Sequence, residues 1–286
     1  AGPVFSQARS SNGPSVVPSG PCDSPVYAKL RRPRRIWAIA SIHGEADRLA
    51  RLHRLLAPRL EPGDRLVYLG NVLGQGAQIA AAVDEVLRFR ALVIARPNSF
   101  TADVAMLRGA QEEMWQKLLE LQFAPNPREV LGFMLAHGVA ATIEAYGGDP
   151  RQGEAAARDG ALAITRWTSA LRQRLNATPG HAPFMASLRR AAFTDGETVL
   201  FVHAGLDATK PLDLQGDAFW WGGGPFLELT EPFGGYRRVV RGFDRRHDGL
   251  VETLYAVSID GGCGFGGPLL AACFREDGAA LDRIEV

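Results

Sequence analysis

Ile36-Trp37-Ala38-Ile39-Ala40-Ser41-Ile42-His43-Gly44 decides how the rest of the chain is read. Five apolar residues in succession fit a buried parallel strand, Ser41 to Gly44 fit the loop at its end, and Leu49, Leu52, Leu55 and Leu56 then repeat at helical spacing. The same order recurs at residues 65–69, with the loop Gly70-Asn71-Val72-Leu73-Gly74-Gln75-Gly76 and a helix over about residues 77–90. A third unit is expected from a strand at 92–95, the loop Arg96-Pro97-Asn98-Ser99-Phe100 and a further helix. Three such units imply a parallel sheet whose loops gather at the C-terminal edge of the strands, where α/β proteins place their sites.

Downstream, residues 101–190 read as a helical cap, with breaks at 124–128, 146–151 and 178–183. Strand patterns return at 198–202, 237–240, 255–259, 269–274 and 281–285 and predict a second sheet packed on the first. The expected fold class is therefore α/β: an α+β four-layer sandwich of two mixed β-sheets face to face, with helices outside, a helical cap and a flexible N-terminal arm. The composition sets the boundary, with residues 1–34 a disordered or partner-bound arm and 35–286 the folded domain.

Charge narrows the classes of function. The 32 basic and 31 acidic residues nearly cancel, so neither a general nucleic-acid footprint nor a membrane-surface one is expected. No run approaches the roughly 18 apolar residues a spanning helix needs, and the start of the sequence lacks a secretion signal's basic-then-apolar order. Three cysteines, Cys22, Cys263 and Cys273, have no zinc-ligand spacing and fit a reduced compartment, so a soluble cytoplasmic protein is expected. The arm ends in Arg31-Arg32-Pro33-Arg34-Arg35, a solvated linker or a docking point for an acidic partner; Arg31, Arg32, Arg34 and Arg35 are the partner-binding candidates. Trp220 and Trp221, beside Gly222-Gly223-Gly224, are two more, with Trp220 the better placed for exposure.

The loops, taken in order, are similar to those of the calcineurin-like metallophosphoesterases, or phosphoprotein phosphatases, above all the bacterial serine/threonine phosphatases and dinucleoside-tetraphosphate hydrolases. That family writes Gly-Asp-x-His-Gly, Gly-Asp-x-x-Asp-Arg-Gly, Gly-Asn-His-Glu, His-Ala-Gly and Gly-His. Here the places read Ala40-Ser41-Ile42-His43-Gly44, Gly70 to Gly76, Pro97-Asn98-Ser99-Phe100, His203-Ala204-Gly205 and Gly242-Phe243. Trp221, Pro225-Phe226, Ile259-Asp260-Gly261-Gly262 and Gly266-Gly267-Pro268-Leu269 extend the likeness over residues 36–286.

The resemblance implies a two-metal phosphoester hydrolysis that needs carboxylate and imidazole ligands and a proton donor. By position the family's ligands fall on Ser41, His43, Asn71, Asn98, His203 and Phe243, and the acid-base groups on Gly74, Ser99 and Phe100. Ser41, Asn71, Gly74, Ser99, Phe100 and Phe243 are thus degenerate, and His43, Asn71, Asn98 and His203 outline a vestigial pocket filled by side chains such as Phe100 and Phe243. Arg96 alone matches the phosphate-binding arginines and is the anion-site candidate.

Three readings stay open. The first is a catalytically inactive pseudophosphatase of bacterial type, with no cofactor, serving as a structural or regulatory subunit for a protein partner in a larger assembly. The second is a divergent phosphoesterase, acting on phosphoproteins or dinucleoside polyphosphates with a single Mn, Fe or Zn ion on His43, Asn98 and His203 and an acid or imidazole relocated from Glu45, Asp47, Asp244 or His247. The third is a phospholigand sensor that does not hydrolyse what it binds.

Overall fold

The computed structural model describes residues 26–286. Strand β1 (Tyr27–Leu30) precedes β2 (Arg35–Ile39), helix α1 (Ala46–Leu56), β3 (Arg65–Tyr68), α2 (Ile79–Ile94) and β4 (Val104–Met106). Six helices follow: α3 (Ala110–Leu119), α4 (Pro127–Ala136), α5 (Val139–Ala145), α6 (Pro150–Asp159), α7 (Ala161–Ala177) and α8 (His181–Ser187). The chain closes with β5 (Ala191–Thr194), β6 (Val199–Val202), the short helix α9 (Ala218–Trp221), β7 (Arg238–Arg241), β8 (Gly249–Glu252), β9 (Ala256–Asp260), β10 (Leu270–Arg275) and β11 (Ala280–Glu285).

These strands form two mixed sheets, one in the order β11-β10-β2-β3-β4 and the other β1-β5-β6-β7-β9-β8. Strands β2, β3 and β4 run parallel, as do β6, β7 and β9, while β10, β5 and β8 are antiparallel to β2, β6 and β9 respectively. Alternation along β2 sorts its side chains between two cores. Ile36, Ala38 and Ala40 face the second sheet and pack with Phe201, Val240, Val257 and Phe274; Trp37 and Ile39 face the helices. Burying each large apolar side chain of this inter-sheet layer contributes about 1.5–3 kcal/mol. No helix among the described residues is long and apolar enough to cross a membrane.

The third unit differs from its sequence reading. Residues 92–94 continue α2, because Val83, Val86, Phe89 and Val93 keep one buried helical stripe through the apolar run. The third strand is β4 instead, so helices of the cap begin at Ala110 rather than at residue 101. The boundary at 34 also moves: Tyr27–Leu30 pairs in parallel with β5, and Leu30 is fully buried. Residues 1–25 of the expected arm lie outside the described residues.

Part of the basic run is engaged within the fold. Arg35 grips Asp64 with Nε and Nη2 at 3.0 and 2.6 Å, and Arg34 pairs with Glu61 at 2.9 Å. The Arg31 carbonyl accepts from the Arg65 guanidinium, and the Arg32 backbone N–H donates to Asp195. Of the four arginines proposed for a partner, Arg35 is thus a strand-anchoring residue whose pKa is raised chiefly by its hydrogen bond to Asp64.

Candidate functional site

Because β2, β3, β4, β6, β7 and β9 all end on one edge, their loops converge there. The backbone N–H groups of Ile42 and His43 both donate to the Asn71 carbonyl, at 3.0 and 2.7 Å, tying the first loop to the second. Ser41 N–H donates to Gly242 O at 3.0 Å, tying it to the β7 loop. Gly70 has φ +89°, and a Cβ there would sit 2.6 Å from the Gly109 nitrogen, so only glycine lets the β3 and β4 loops touch backbone to backbone.

The loop after β4 is Leu107-Arg108-Gly109, opening α3 with Ala110-Gln111-Glu112. This is the structural place of the family's Gly-Asn-His-Glu. Its asparagine is therefore replaced by Ala110 and its histidine by Gln111, whereas its glutamate persists as Glu112. Asn98, Ser99 and Phe100 precede β4 and so lie on the opposite edge; Asn98 is exposed and Phe100 is 67% exposed, so neither joins the pocket. Arg96 shares that far edge, where its guanidinium donates to Leu60 O at 2.8 Å, and it does not face the site. The correct loop is not legible in the sequence because the strand before it, Val104–Met106, has only three residues, too few for a periodic signal.

Glu112 is buried and accepts three backbone N–H groups, from Asn71 at 2.9 Å, Gly109 at 2.7 Å and Leu73 at 3.0 Å. Burial raises its pKa while these donors oppose the rise. It clamps the second and third loops rather than facing the cavity.

The cavity itself has a volume of about 370 Å³ and includes His43, Asn71, Gln111, Phe243, His247 and Phe265 in its wall. Asn71 Oδ1 accepts the Gln111 backbone N–H at 2.9 Å, which orients its Nδ2 to donate to His43 Nε2 at 3.0 Å. His43 therefore carries its proton on Nδ1, which is buried without a partner among the described residues. His203 Nδ1 donates to Leu69 O at 2.7 Å, so its Nε2 keeps a lone pair, likewise buried and without a partner among the described residues. Burial first, and neighbouring histidines second, lower the His43 pKa to about 3; burial lowers that of His203 to about 4. Both rings are neutral at pH 7.

Phe243 fills the space between them, with ring centroids 5.8 Å from His43 and 5.5 Å from His203, the latter stacked. Gly74 makes room for Gln111, since a Cβ at 74 would lie 2.2 Å from the Gln111 Cδ. Of the candidates for a relocated ligand, His247 lines the cavity: its Nδ1 bonds Asp260 Oδ2 at 2.8 Å and its ring stacks on Phe265. Glu45 and Asp47 stay at the start of α1, where Asp47 accepts from Gln78, and Asp244 pairs with Arg241 at 2.8 Å. Two further wall residues, His137 and Arg245, carry no motif and were not legible in the sequence.

The tryptophans exchange their expected roles. Trp220 is 4% exposed and packs in the outer core of the second sheet near Arg190, whereas Trp221 turns toward the cap and lies edge-on to Phe133 at the cavity. Neighbours in a helix point about 100° apart, so Trp220 and Trp221 meet different surroundings.

The metal pair that the fold implies needs anionic oxygen ligands. The corresponding positions hold Ser41, His43, Asn71, Ala110, His203 and Phe243, which include no carboxylate, and the His43 lone pair is already taken by an amide N–H. Among the described residues no group of three or more His, Cys, Asp or Glu is placed to hold a metal ion. These residues do not fit a dinuclear centre.

No protein-family model matches the sequence, and no curated protein does. Solved structures do match. A crystal structure of a protein assigned as a diadenosine tetraphosphatase shares 20% identity and a TM-score of 0.52, over 91% of this chain and 97% of that one. A cold-active protein tyrosine phosphatase has 14% identity and a TM-score of 0.52, over 92% and 80%. A metallophosphoesterase from Sphaerobacter thermophilus gives 13% identity and a TM-score of 0.43, over 88% of each chain. With its two mixed sheets and converging loops, the chain shares the fold of the diadenosine tetraphosphatase and tyrosine phosphatase structures.

Proposed function

We propose that the chain is a catalytically silent, phosphatase-like protein that acts as a structural or regulatory protein-binding subunit and needs no cofactor. The observation that carries this reading is the 3.0 Å bond from Asn71 Nδ2 to His43 Nε2. Where a bridging carboxylate would share two cations, an amide instead presents a donor and occupies the His43 lone pair. Replacing anions and cations together also avoids the repulsion that unpartnered buried carboxylates would suffer.

The test is metal analysis of the purified protein together with assays on p-nitrophenyl phosphate, phosphopeptides and dinucleoside polyphosphates. Absence of turnover with added Mn²⁺, Fe²⁺ or Zn²⁺ is expected. Stoichiometric metal with turnover abolished by His43→Ala overturns the reading.

One observation favours a second reading, a divergent phosphoesterase. The His247–Asp260 pair in the cavity wall presents an imidazole Nε2 held in one orientation by a buried carboxylate. Under that reading His247→Ala removes an activity that the parent protein possesses. A phospholigand sensor would rely on Arg245, in the cavity wall, rather than on Arg96.

A further inference from the structure

We infer that His247 is a modification site, its Nε2 accepting a phosphoryl group from a small acyl phosphate. The inference goes beyond the binding role proposed above and involves no metal ion.

The ring is fixed from several sides. His247 stands in left-handed backbone at φ 54°, a conformation that a residue with a Cβ keeps only where its neighbours enforce it. Asp260, 1% exposed, is the chief of these: its Oδ2 accepts from His247 Nδ1 and from the Asp244 N–H, each at 2.8 Å, and its Oδ1 accepts the Gly262 N–H at 2.9 Å. The imidazole stacks on Phe265 with centroids 4.8 Å apart. In the neutral ring Nδ1 carries the hydrogen, which leaves the lone pair on Nε2. That atom has no partner among the described residues, and it is not enclosed as His43 Nδ1 is; the side chain is 23% exposed and lines the cavity.

The other histidines lack this arrangement. Of the six in the chain, His43, His53, His181 and His203 are at most 1% exposed. His137 is exposed in the same wall, but its Nδ1 bonds the Phe133 carbonyl, so no carboxylate stands behind it.

That difference bears on the chemistry. Nε2 attacks phosphorus with its lone pair, a P–N bond forms, the P–O bond to the acyl group breaks, and the carboxylate leaves with the electron pair. No proton is transferred. The ring becomes an imidazolium whose Nδ1–H stays on Asp260, and the Asp260 carboxylate offsets the new positive charge. An imidazole also accepts acyl groups, and Arg245 selects between the two. Apart from the histidines it is the one charged residue lining the cavity; it is exposed and has neither a hydrogen bond nor an ion pair among the described residues. An uncompensated guanidinium matches the anionic phosphoryl oxygens, which a neutral acyl group does not have. A cavity of about 370 Å³ leaves room for a donor of this size.

The experiment incubates the full chain with acetyl phosphate at neutral pH, with EDTA present. Intact mass, peptide mapping under neutral conditions and the phosphorus NMR resonance of the P–N bond follow the product. One acid-labile phosphoryl group on His247 is expected, formed at least about tenfold faster than at His137. His247→Asn removes it. Arg245→Gln, at an exposed position, is expected to slow the reaction at least about tenfold at an unchanged thermal midpoint, and Asp260→Asn to slow it by a similar factor. No P–N product, equal rates at His137 and His247, or an unchanged rate in Arg245→Gln overturns the inference. Those outcomes leave the non-catalytic reading intact, because the labelling is stoichiometric, and metal content and turnover are separate measurements.

Discussion

The Asn71 side chain donates from Nδ2 to Nε2 of His43 across 3.0 Å while its Oδ1 accepts the Gln111 backbone N–H at 2.9 Å, so the amide cannot turn without breaking a buried bond. Asn71→Asp places a carboxylate oxygen against the His43 lone pair. The imidazole then moves its proton to Nε2 and holds a second one more readily. The expected result is a His43 pKa at least about two pH units above its present value of about 3, read from the ring resonances by NMR. A His43 that stays neutral at pH 4.5 in the variant contradicts the geometry.

Acid should weaken the fold. His43 and His203 have folded pKa values of about 3 and about 4, lowered by burial from 6.5. The unfolded chain therefore binds protons near pH 6.5 while the folded chain does not. Stability is complete above that value and falls as pH drops toward 4, by up to about 1.4 kcal/mol per pH unit per histidine. Urea titrations at pH 7, 5.5 and 4.5 measure this, and His203→Gln should roughly halve the slope.

Glu112 is the clamp of the site. Replacing it with alanine strands three buried N–H groups, of Asn71, Leu73 and Gly109, and should cost about 3–5 kcal/mol in a denaturant titration. Glu113→Ala, one residue on and paired with Arg108 at 3.2 Å, is the control and should cost less than about 1 kcal/mol.

The two tryptophans should separate stability from binding. Trp220→Ala empties a core position and should cost about 3–5 kcal/mol. Trp221→Ala should cost about 1 kcal/mol, leaving the fold intact while changing the cavity mouth.

Arg35 and Arg32 should behave differently despite their shared motif. The Asp64 side chain is 2% exposed, so Arg35→Ala leaves a buried carboxylate without its partner and should cost about 3 kcal/mol by thermal unfolding. Arg32→Ala, with the side chain exposed and only the backbone N–H engaged, should change stability by less than about 0.5 kcal/mol.

Much of the frame could be read directly. The strands β2 and β3, the loops carrying Ser41, His43 and Asn71, and the later strands β6, β7, β9, β10 and β11 fall within a residue or two of their expected places. The elements that escaped, β1, β4, β5 and β8, are each three or four residues long. Strands β3, β6 and β7 are as short but run into a recognisable loop; without such a loop, pairing with a neighbouring strand decides the conformation of so short a run. The run at 92–94 misled for the converse reason: a long buried helical stripe overrode local β preference.

By itself, then, the sequence determined the architecture and part of the site's chemistry. Apolar periodicity and the order of the loops are carried by many residues, and Ser41, Asn71 and Phe243 announce lost ligands through residue type alone. Tertiary structure decided which third loop reaches the edge, and with it that Glu112 survives while Asn98 and Arg96 stand on the far side. It also decided that His43 carries its proton on Nδ1, that Gln111 Oε1 is buried without a partner among the described residues, and that Trp220 rather than Trp221 is core. Those outcomes depend on hydrogen bonds and contacts between residues distant in the chain, and spacing along one strand or helix contains no record of them.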